Sequence, residues 1–412
     1  MGHIQDRWFK VEKDAVTGKP VLDAKGKPVK VKTDLHGVGL RYKVRYLDPD
    51  GNERSKTFPN GKLALAQAFL HQVENDKHKG TYLDPDKGRV LFRKLGEDWL
   101  NSRTFDESSR EGTEFRLKLH VFPYLGDKEI RAILPSHIQE WDRELQKKGL
   151  AETYRRTIFA NVSAIFTAAI DDERITKNPC NAKSVTKPRG EYPKVVPWPE
   201  QRVHAVRAKL GERYRVMIDA GAGCGLRQGE VFGLSPTDVT EDGQKLRVER
   251  QIKIVRGRLV FALPKHRKVR EVPLSATGNA AIKAHSEKFE PLPVTLPWEE
   301  PDGKLVTVNL LLYTRERKPI YRHSFNHHVW KPALREAGVE NPQRADGFHA
   351  LRHFFASLLL DDGISIRALA EFLGHADPAF TLRVYTHLMP SSHERTRGAV
   401  DRVFSSTKRK AA

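Results

Sequence analysis

A tyrosine near the end of the chain is the first residue whose type and setting could support chemistry. Tyr385 lies in the stretch EFLGHADPAFTLRVYTHLMP, residues 371–390, after a Gly-His step typical of a helix end and a polar turn. A tyrosine hydroxyl can attack a phosphodiester and form a covalent phosphotyrosine. Tyrosine is also a common packing residue with an apolar ring and a solvated hydroxyl. The stretch alone favours packing, so the other reactive groups of the chain must decide between the two interpretations.

Arginine and histidine side chains suited to binding a phosphate occur in two predicted helices. Arg227 follows a glycine-rich turn in GCGLRQGEVFGL and opens the first helix, where its guanidinium and the helix N-terminus can bind a phosphate together. Pairing with Glu230, three residues on, is the alternative. His349 and Arg352, in FHALRHFFAS, share one face of the second helix. Their mutual repulsion when both are charged suggests a shared anionic target, and an ordinary surface pair is the alternative.

Two further basic groups complete the candidate set. Lys265, in LPKHRKVREVPL, lies at the tip of a predicted hairpin, where a lysine can act as a flexible point charge. Lys268 is its rival at the same turn. His375 follows a helix end in LGHADP, ten residues before Tyr385. Each signal is weak alone, so the groups have to be considered as one chemistry.

Taken together, these groups suit the cleavage of a phosphodiester through a covalent tyrosine adduct. The tyrosine hydroxyl attacks the phosphorus, while two arginines hold the non-bridging oxygens and stabilise the transition-state charge. A lysine can protonate the leaving oxygen, and histidines can accept the tyrosine proton and brace the phosphate. Because guanidinium groups neutralise the charge, the chemistry requires no metal, and the sequence has no tight Asp/Glu cluster placed for a two-metal nuclease site.

In the order Arg, Lys, His-x-x-Arg, His, Tyr, the chain resembles the tyrosine recombinase (phage integrase) family. The motifs that carry the resemblance are CGLRQGE, PKHRKVREVPL, HALRH and LGHADPAFTLRVYTH. The gap between His375 and Tyr385 is one residue longer than in the commonest family pattern. It resembles the pattern LGHAxPAFTLxxYxHL of integrases from actinobacterial phages and mobile elements.

The resemblance implies a site-specific integrase that cuts and rejoins double-stranded DNA through a 3′-phosphotyrosine, without a cofactor, to integrate or excise a mobile element. The residues that it implies around the scissile phosphate are Arg227, Lys265, His349, Arg352, His375 and the nucleophile Tyr385. It also implies a homotetramer on two DNA duplexes and accessory DNA-bending and directionality proteins. Two alternatives stay open: a type IB topoisomerase-like enzyme, and a non-catalytic DNA-binding regulator with the same fold.

The charge balance favours a polyanionic partner. The chain has 412 residues, with 72 Lys and Arg against 52 Asp and Glu, for a net charge of +20. Such a protein gains from counterion release on nucleic acid, and a solvated basic surface is the alternative. Its two cysteines, Cys180 and Cys224, form no disulfide framework, and no apolar leader or membrane span is apparent. We therefore expect a cytoplasmic, nucleoid-associated protein of a prokaryotic host with no membrane partner.

Residues 1–80 are predicted to form a small three-stranded sheet packed on one helix. In LRYKVRYLDPDGNERSKTF, apolar residues alternate with basic ones, as in a half-buried strand, and DPDGN indicates a hairpin turn. The basic face consists of Arg41, Lys43 and Arg45, which a sheet could present to a DNA groove. By architecture this part resembles the arm-binding domain of integrases that recognise two kinds of DNA site. A solvated strand face is the alternative.

The sequence as a whole predicts a multidomain α+β protein, in which a helical domain and a mainly α domain with a small antiparallel sheet follow the front sheet and helix. Residues 89–182 resemble the family's core-binding domain, with one apolar stripe over 158–170. The resemblance implies a tyrosine recombinase catalytic domain over residues 197–412, for which the sequence predicts a helix over 199–210 and three short strands over 245–275. The local fold of 286–320 is left open. The segment SSHERTRGAVDRVF could supply a helix that docks on a neighbouring protomer.

Overall fold

The structure of the protein is a computed structural model that describes residues 2–15, 17–80, 82, 84, 86–190, 194–388 and 397. The chain divides into two compact units. The first unit comprises residues 1–103 and 113–190, and the second unit comprises residues 104–112 and 191–412. The segment SSHERTRGAVDRVF, predicted to form a docking helix, lies outside the described residues apart from Arg397.

The first unit begins with a small sheet and one helix. Its elements are β1 (His3–Asp6), β2 (Phe9–Val11), β3 (Lys30–Lys32), β4 (Tyr42–Leu47), β5 (Glu53–Phe58) and α1 (Leu63–His78). β4 is central and pairs antiparallel with β1 and β5, while β2 and β3 form a separate ribbon. Tyr42, Val44 and Tyr46 form the buried face of β4 and share a core with Ala66 and Val73 of α1. The alternation of apolar and basic residues therefore buries one face, as predicted.

Helices form the rest of the first unit. They are α2 (Phe92–Ser102), α3 (Glu107–His120), α4 (Phe122–Leu125), α5 (Pro135–Lys147) and α6 (Glu152–Asp171). The first residues of α3, up to Gly112, belong to the second unit. The predicted apolar stripe of α6 is buried at Ile158, Val162, Ile165 and Phe166. This stripe faces α2 and α5, which both pack on α6.

The second unit is built mainly from helices. They are α7 (Glu200–Lys209), α8 (Glu212–Cys224), α9 (Gln228–Phe232), α10 (Ala276–Lys288), α11 (Arg322–Phe325), α12 (Lys331–Glu336), α13 (His349–Asp361), α14 (Ile366–Leu373) and α15 (Pro378–Tyr385). α8 and α13 pack closely, and Gly221 permits this, since a β-carbon there would lie 2.8 Å from the Leu351 side chain. α14 and α15 follow α13 and return the chain to it, so Tyr385 ends beside α13.

The prediction of three strands over 245–275 is wrong, because the structure has four. They are β6 (Lys245–Val248), β7 (Gln251–Val255), β8 (Arg258–Ala262) and β9 (Arg270–Pro273). β7 and β8 form a hairpin through Arg256 and Gly257, which both have positive φ, whereas β6 pairs with β9. The apolar pattern of 245–255 suggested one run, but its two halves pair with different strands and separate between them.

The stretch 286–320, whose fold the sequence left open, contains a second hairpin. β10 (Leu292–Pro297) and β11 (Leu305–Leu310) pair antiparallel along their whole length. β10 lies next to β8, and Phe261 forms a parallel bridge with Trp298. The predicted multidomain α+β class is confirmed: a three-stranded sheet with a helix, a helical part, and a mainly α unit with small antiparallel sheets.

Candidate active site

Arg227 is fixed at the start of a short helix by the glutamate three residues on. α8 ends at Gly225, whose φ is +64°, and a β-carbon there would lie 2.5 Å from Phe355. The turn leads into α9, with Arg227 as its N-cap residue. Arg227 donates to Glu230 from Nη1 at 2.8 Å and from its backbone N–H at 2.9 Å. Arg227 therefore pairs with Glu230, and its side chain remains 18% exposed. Binding of a phosphate by Arg227 stays a prediction.

Glu230 is fully buried and binds a second arginine that the sequence analysis missed. Arg270, on β9, donates from Nη1 to Glu230 Oε1 at 3.0 Å and from Nη2 to Oε2 at 2.7 Å. Its Nε donates to the carbonyl of Phe372, in α14, at 2.7 Å. Glu230 and Arg270 together thus link α9, β9 and α14 into one support for Arg227. The signal in the sequence is that Arg270 occupies the same buried side of β9 as Val272.

Removing the Glu230 carboxylate is expected to destabilise the protein strongly. Burial alone would raise the pKa of Glu230, but the hydrogen bonds and charge of Arg270, with the charge of Arg227, lower it to about 2. Glu230→Ala leaves both guanidinium groups without this partner, and the loss of one member of a buried pair costs about 3–5 kcal/mol. Denaturant unfolding at neutral pH measures the loss.

Glu271→Ala is the matched control, because Glu271 neighbours Arg270 on β9 but pairs with Lys245 and Arg247 at the surface. It should cost far less than Glu230→Ala, because solvent screens exposed ion pairs. The folded-state pKa of Glu230 lies below its ordinary value of 4.5, so its contribution is complete above that pH and is lost as the pH falls towards 2. The difference between wild type and Glu230→Ala should therefore shrink in acid. Equal costs for the two variants at neutral pH would contradict the role of Glu230.

Arg352 is 1% exposed and is held mainly by backbone carbonyl groups. Its Nη1 donates to the Gly225 carbonyl at 2.8 Å, and its Nη2 donates to the carbonyl of Leu373. Nη2 also lies 3.0 Å from His375 Nε2. Burial and the charge of Arg227 lower the pKa of Arg352 to about 9, so it stays protonated at neutral pH. Because carbonyl groups orient the guanidinium without neutralising it, its charge remains available for an anion.

The hydrogen bonds of His375 determine its tautomer. Because Arg352 can only donate, His375 Nε2 must accept, so the ring proton is on Nδ1 and is donated to Thr381 Oγ1 at 2.7 Å. Desolvation and the charges of Arg352 and Arg227 lower the pKa of His375 to about 3, so it is neutral at pH 7. Thr381, on α15 and fully buried, therefore orients the imidazole towards Arg352.

Tyr385 is a buried residue whose hydroxyl meets a histidine. It is 1% exposed, and its Oη lies 2.8 Å from Nδ1 of His353. Desolvation raises the pKa of Tyr385 to about 12, although the charges of Arg352 and Arg227 act in the opposite direction. Tyr385 is thus a packing residue and also a neighbour of the arginine pair. The sequence analysis missed His353, and the signal for it is the second histidine of HALRH.

His349 and Lys265 are exposed residues at the site. His349 begins α13, and Lys265 lies in the turn between β8 and β9. Desolvation and nearby charges, those of Arg352 and Lys265 among them, lower the pKa of His349. Lys265 is therefore within electrostatic range of this histidine. Its turn contains two left-handed non-glycine residues, His266 at φ +64° and Arg267 at φ +57°, and such strained backbone is common at functional sites.

The two lysines of this turn differ in how they are held. Lys268 is half-buried, and its Nζ donates to the backbone carbonyl of His375 at 3.2 Å. Lys265 makes no hydrogen bond or ion pair within the part of the chain that the structure describes. Lys268 is thus fixed at the edge of the site, while Lys265 is placed on an exposed turn with its ammonium group unattached.

Direct contacts or charge effects connect all six predicted residues. Comparison with known families identifies the class of protein that has such a site. Residues 200–392 match the phage integrase family, and residues 92–184 match the phage integrase central domain. The chain belongs to the phage integrase family of tyrosine recombinases. The resemblance predicted from the motifs is thereby confirmed.

Named relatives of this integrase come from bacteria and their phages. A tyrosine recombinase XerC-like protein of Caldanaerobacter subterraneus is 25% identical over 371 residues, covering 83% of this chain and 90% of the relative. The integrase of Mycobacterium phage FRAT1 is 24% identical over 303 residues, covering 71% of this chain and 83% of that protein. The integrase is a site-specific DNA recombinase that cuts and rejoins DNA.

Solved structures of integrases share this fold. The Tn1549 transposon integrase, in complex with a circular intermediate DNA, gives a TM-score of 0.65 at 20% identity, covering 76% of this chain and 99% of that chain. A lambda integrase tetramer bound to a Holliday junction gives a TM-score of 0.56 at 16% identity, covering 84% of this chain and 92% of that chain. At these identities the likeness establishes the fold of the integrase.

The three basic residues predicted to contact DNA from the front sheet have different surroundings. Arg41 lies just before β4 and forms a two-pronged ion pair with Asp6, 2.8 Å at its shortest. Arg45 donates from Nη1 to Glu53 Oε1 at 2.9 Å. Lys43 has no ion pair among the residues that the structure describes. Lys43 and Arg45 alternate with the buried residues of β4, whereas Arg41 is held by Asp6, and contact of the three with DNA stays a prediction.

The integrase also has features that bear on metals, membranes and thiols. Among the residues that the structure describes, no group of three or more His, Cys, Asp or Glu side chains could hold a metal ion. No helix within those residues has the length and apolar character needed to cross a bilayer. Cys180 and Cys224 are buried, and desolvation raises the pKa of each thiol to about 12, so both stay protonated at neutral pH.

Proposed function

We propose that this integrase cleaves DNA with Tyr385, forming a 3′-phosphotyrosine and a free 5′-hydroxyl, and then rejoins the strand to a new 5′-hydroxyl. The observation that carries the proposal is the buried Tyr385 hydroxyl within the field of two arginines. The charges of Arg352 and Arg227 oppose the effect of burial on the pKa of Tyr385, so they favour the oxyanion that attack requires. The phosphotyrosine retains the energy of the broken bond, so religation is near-isoenergetic and needs no ATP.

Arg227 and Arg352 bind the two non-bridging oxygens of the scissile phosphate and stabilise the charge that develops there. Each guanidinium is fixed before DNA arrives, Arg227 by Glu230 and Arg352 by the Gly225 carbonyl. A group that is already oriented needs little reorganisation during the reaction. The arginines therefore stabilise the transition state more than the ground state.

Lys265 supplies the proton for the leaving 5′ oxygen, and two histidines brace the phosphate. An entering phosphate brings negative charge beside His375 and raises its pKa, because a nearby anion favours the protonated form. The protonated Nε2 can then donate to a phosphate oxygen, while Thr381 continues to hold Nδ1. His349, exposed at the start of α13, braces the phosphate from the solvent side.

The recombining assembly is a homotetramer that holds two DNA duplexes and acts in alternating pairs of protomers. Its support is the likeness to the lambda integrase tetramer bound to a Holliday junction. The domains of each protomer are proposed to be residues 1–80, 89–182 and 197–412. We further propose that accessory DNA-bending and directionality proteins assist and that the integrase acts in the cytoplasm of a prokaryote. The bacterial and phage origin of its relatives supports the prokaryotic setting.

The open face of the front sheet binds a second, arm-type DNA site. Two rows of polar side chains cross its three strands: Gln5, Lys43 and Thr57, and His3, Arg45 and Ser55. Glutamine and arginine can read adenine and guanine through paired hydrogen bonds, while lysine, serine and threonine can bind phosphates. This combination suits a sheet that lies in a major groove and distinguishes sequences.

Deletion of residues 1–80 is expected to leave cleavage of a short core site intact and to impair integration of a full attachment site. The catalytic residues all lie in the second unit, whereas the arm-type face is lost with the deletion. Cleavage of a core oligonucleotide and recombination of the full site, assayed in parallel, measure the two effects.

Two variants of the full chain that lose the same charge distinguish sequence-specific binding of arm DNA from non-specific electrostatic binding of any DNA. Lys43→Ala with Arg45→Ala should abolish the preference for arm DNA over unrelated DNA in competition binding. Lys19→Ala with Lys27→Ala removes the same charge from exposed positions outside the sheet. It should lower the affinity for all DNA alike and leave the preference for arm DNA unchanged. The slope of log K against log salt concentration should become smaller by about 0.9 for each lost phosphate contact. If unrelated DNA competes with the wild type as well as DNA flanking the core site, the two-site proposal fails.

The site preference of cleavage tests the proposed function as a whole. Sequencing the DNA that flanks the gene supplies a candidate attachment site, because an integrase gene often lies beside it. Trapped covalent complexes on this DNA should map to one position on each strand. Adducts spread over many unrelated positions would contradict a site-specific reaction.

A further inference from the structure

We propose that His353 is a catalytic residue of this integrase, which holds the Tyr385 hydroxyl and accepts its proton as that hydroxyl attacks the phosphate. The inference rests on the proposed function of Tyr385 as the nucleophile and names the group that activates it. The observation that carries it is the 2.8 Å hydrogen bond between His353 Nδ1 and Tyr385 Oη. Within the described residues, this is the hydrogen bond that the tyrosine hydroxyl makes.

The other two histidines of the site are placed for other tasks. Both ring nitrogens of His375 are occupied, Nε2 by Arg352 and Nδ1 by Thr381. The ring of His349 lies across that of His353, with centroids 4.7 Å apart and planes at 84°. Among the described residues His349 has no hydrogen bond with the tyrosine. Of the three imidazoles, His353 is the one that contacts the reacting oxygen.

The surroundings of His353 keep its ring neutral and able to accept a proton. Desolvation and the adjacent charge of Arg352 lower the pKa of His353 to about 4, so an uncharged imidazole faces the hydroxyl at pH 7. The titratable neighbours that face it are His349 on the same helix and Tyr385 on α15. A bound phosphodiester adds negative charge to the site and makes His353 more basic at the moment when Tyr385 must lose its proton.

The proton balance of the step is complete without a further reactant. Tyr385 Oη forms a bond to phosphorus while the bond from phosphorus to the 5′ oxygen breaks. The hydroxyl proton passes to His353 Nδ1, and Lys265 Nζ gives a proton to the 5′ oxygen. In religation the incoming 5′-hydroxyl oxygen forms a bond to phosphorus while the bond from phosphorus to Tyr385 Oη breaks. Lys265 takes the proton of the 5′-hydroxyl, and His353 returns its proton to the tyrosine oxygen.

The experiment is single-turnover cleavage of a nicked suicide substrate with sulfur in place of the 5′ leaving oxygen. Sulfur leaves without a proton, so the measured rate reports activation of Tyr385 and not the action of Lys265. His353→Asn keeps an acceptor near the position of Nδ1 but cannot take the proton, and His353→Phe removes both abilities. Both variants should bind DNA normally and cleave at least about 10²-fold more slowly than the wild type at neutral pH, which is typical of a lost general base.

The pH dependence separates proton acceptance from packing. Without His353 the tyrosine must lose its proton to solvent, so the rates of both variants should rise about tenfold for each pH unit from about 6.5 to 8.5. The wild-type rate should change little over this range. His204→Asn is the control, because His204 is exposed and pairs with Glu200 away from Tyr385, and its rate should equal the wild-type rate at every pH.

Three results would overturn the proposal. Faster cleavage in the variants would mean that the hydrogen bond with His353 holds the Tyr385 hydroxyl in an unreactive position. A loss by the same factor at every pH would make it a packing residue, and an unchanged rate would leave it without a role. If His353→Phe fails to fold, His353→Asn carries the test. Failure of the wild type itself to form a Tyr385 adduct would count against the proposed function. This result is distinct from any effect of the His353 variants, because the wild type is measured alone in the same assay.

Discussion

Tyr385→Phe is expected to abolish covalent capture of DNA and to leave DNA binding intact. The substitution removes only the hydroxyl, and the ring keeps its buried position at the end of α15. The lost hydrogen bond to His353 costs about 1 kcal/mol of stability, which a folded unit of this size tolerates. A nicked suicide substrate, which releases the 5′ fragment and traps the adduct, shows the result as a denaturant-resistant shift of the labelled strand.

Tyr313→Phe is the matched control for this loss. Tyr313 is 3% exposed in the same unit, and its hydroxyl donates to the Glu290 carbonyl at 2.8 Å. The control therefore loses one buried tyrosine hydroxyl and one hydrogen bond, and it should still form the adduct at the wild-type rate. A Tyr385→Phe protein that still becomes covalently attached to the nicked strand would refute the assignment of the nucleophile.

Lys265→Ala is expected to slow cleavage by about 10²–10⁴-fold, the usual contribution of a positioned proton donor. The 5′ oxygen is a poor leaving group until it gains a proton, and the unattached ammonium on the exposed turn can approach it. Lys268→Ala should cost much less, because Lys268 Nζ is held by the His375 carbonyl. Single-turnover rates of the two variants on one substrate make the comparison.

Sulfur substitution at the leaving position identifies which lysine donates the proton. A 5′-sulfur substrate needs no general acid, so it should restore most of the rate lost in Lys265→Ala and none of the smaller loss in Lys268→Ala. Rescue of Lys268→Ala instead would transfer the role to the lysine that is fixed beside His375 in the structure. Equal losses of cleavage rate in the two variants, with no rescue by the sulfur substrate, would mean that neither lysine donates the proton and that the conformation of the turn is what matters.

Part of the fold could be predicted because its signals are local. The alternation in β4 and the apolar stripe of α6 each repeat within one element, and both are buried as predicted. The number of strands over 245–275 could not be obtained in this way. β6 pairs with β9, with Lys245 opposite Pro273, while the segment between them forms its own hairpin. Strand pairing depends on hydrogen bonds to distant partners, and residue alternation within 245–255 contains no information about them.

By itself the sequence determined the family and the chemistry, because phosphoryl transfer through tyrosine requires particular residue types and each motif holds them within a few positions. Only the tertiary structure decided how those residues are supported. Glu230 binds Arg270, which is 40 residues away, and Tyr385 binds His353, which is 32 residues away. These contacts exist because the Arg270 side chain extends from β9 to α9 and because α15 returns to α13. A motif states which groups are present, whereas the packing of elements distant in sequence determines which groups touch.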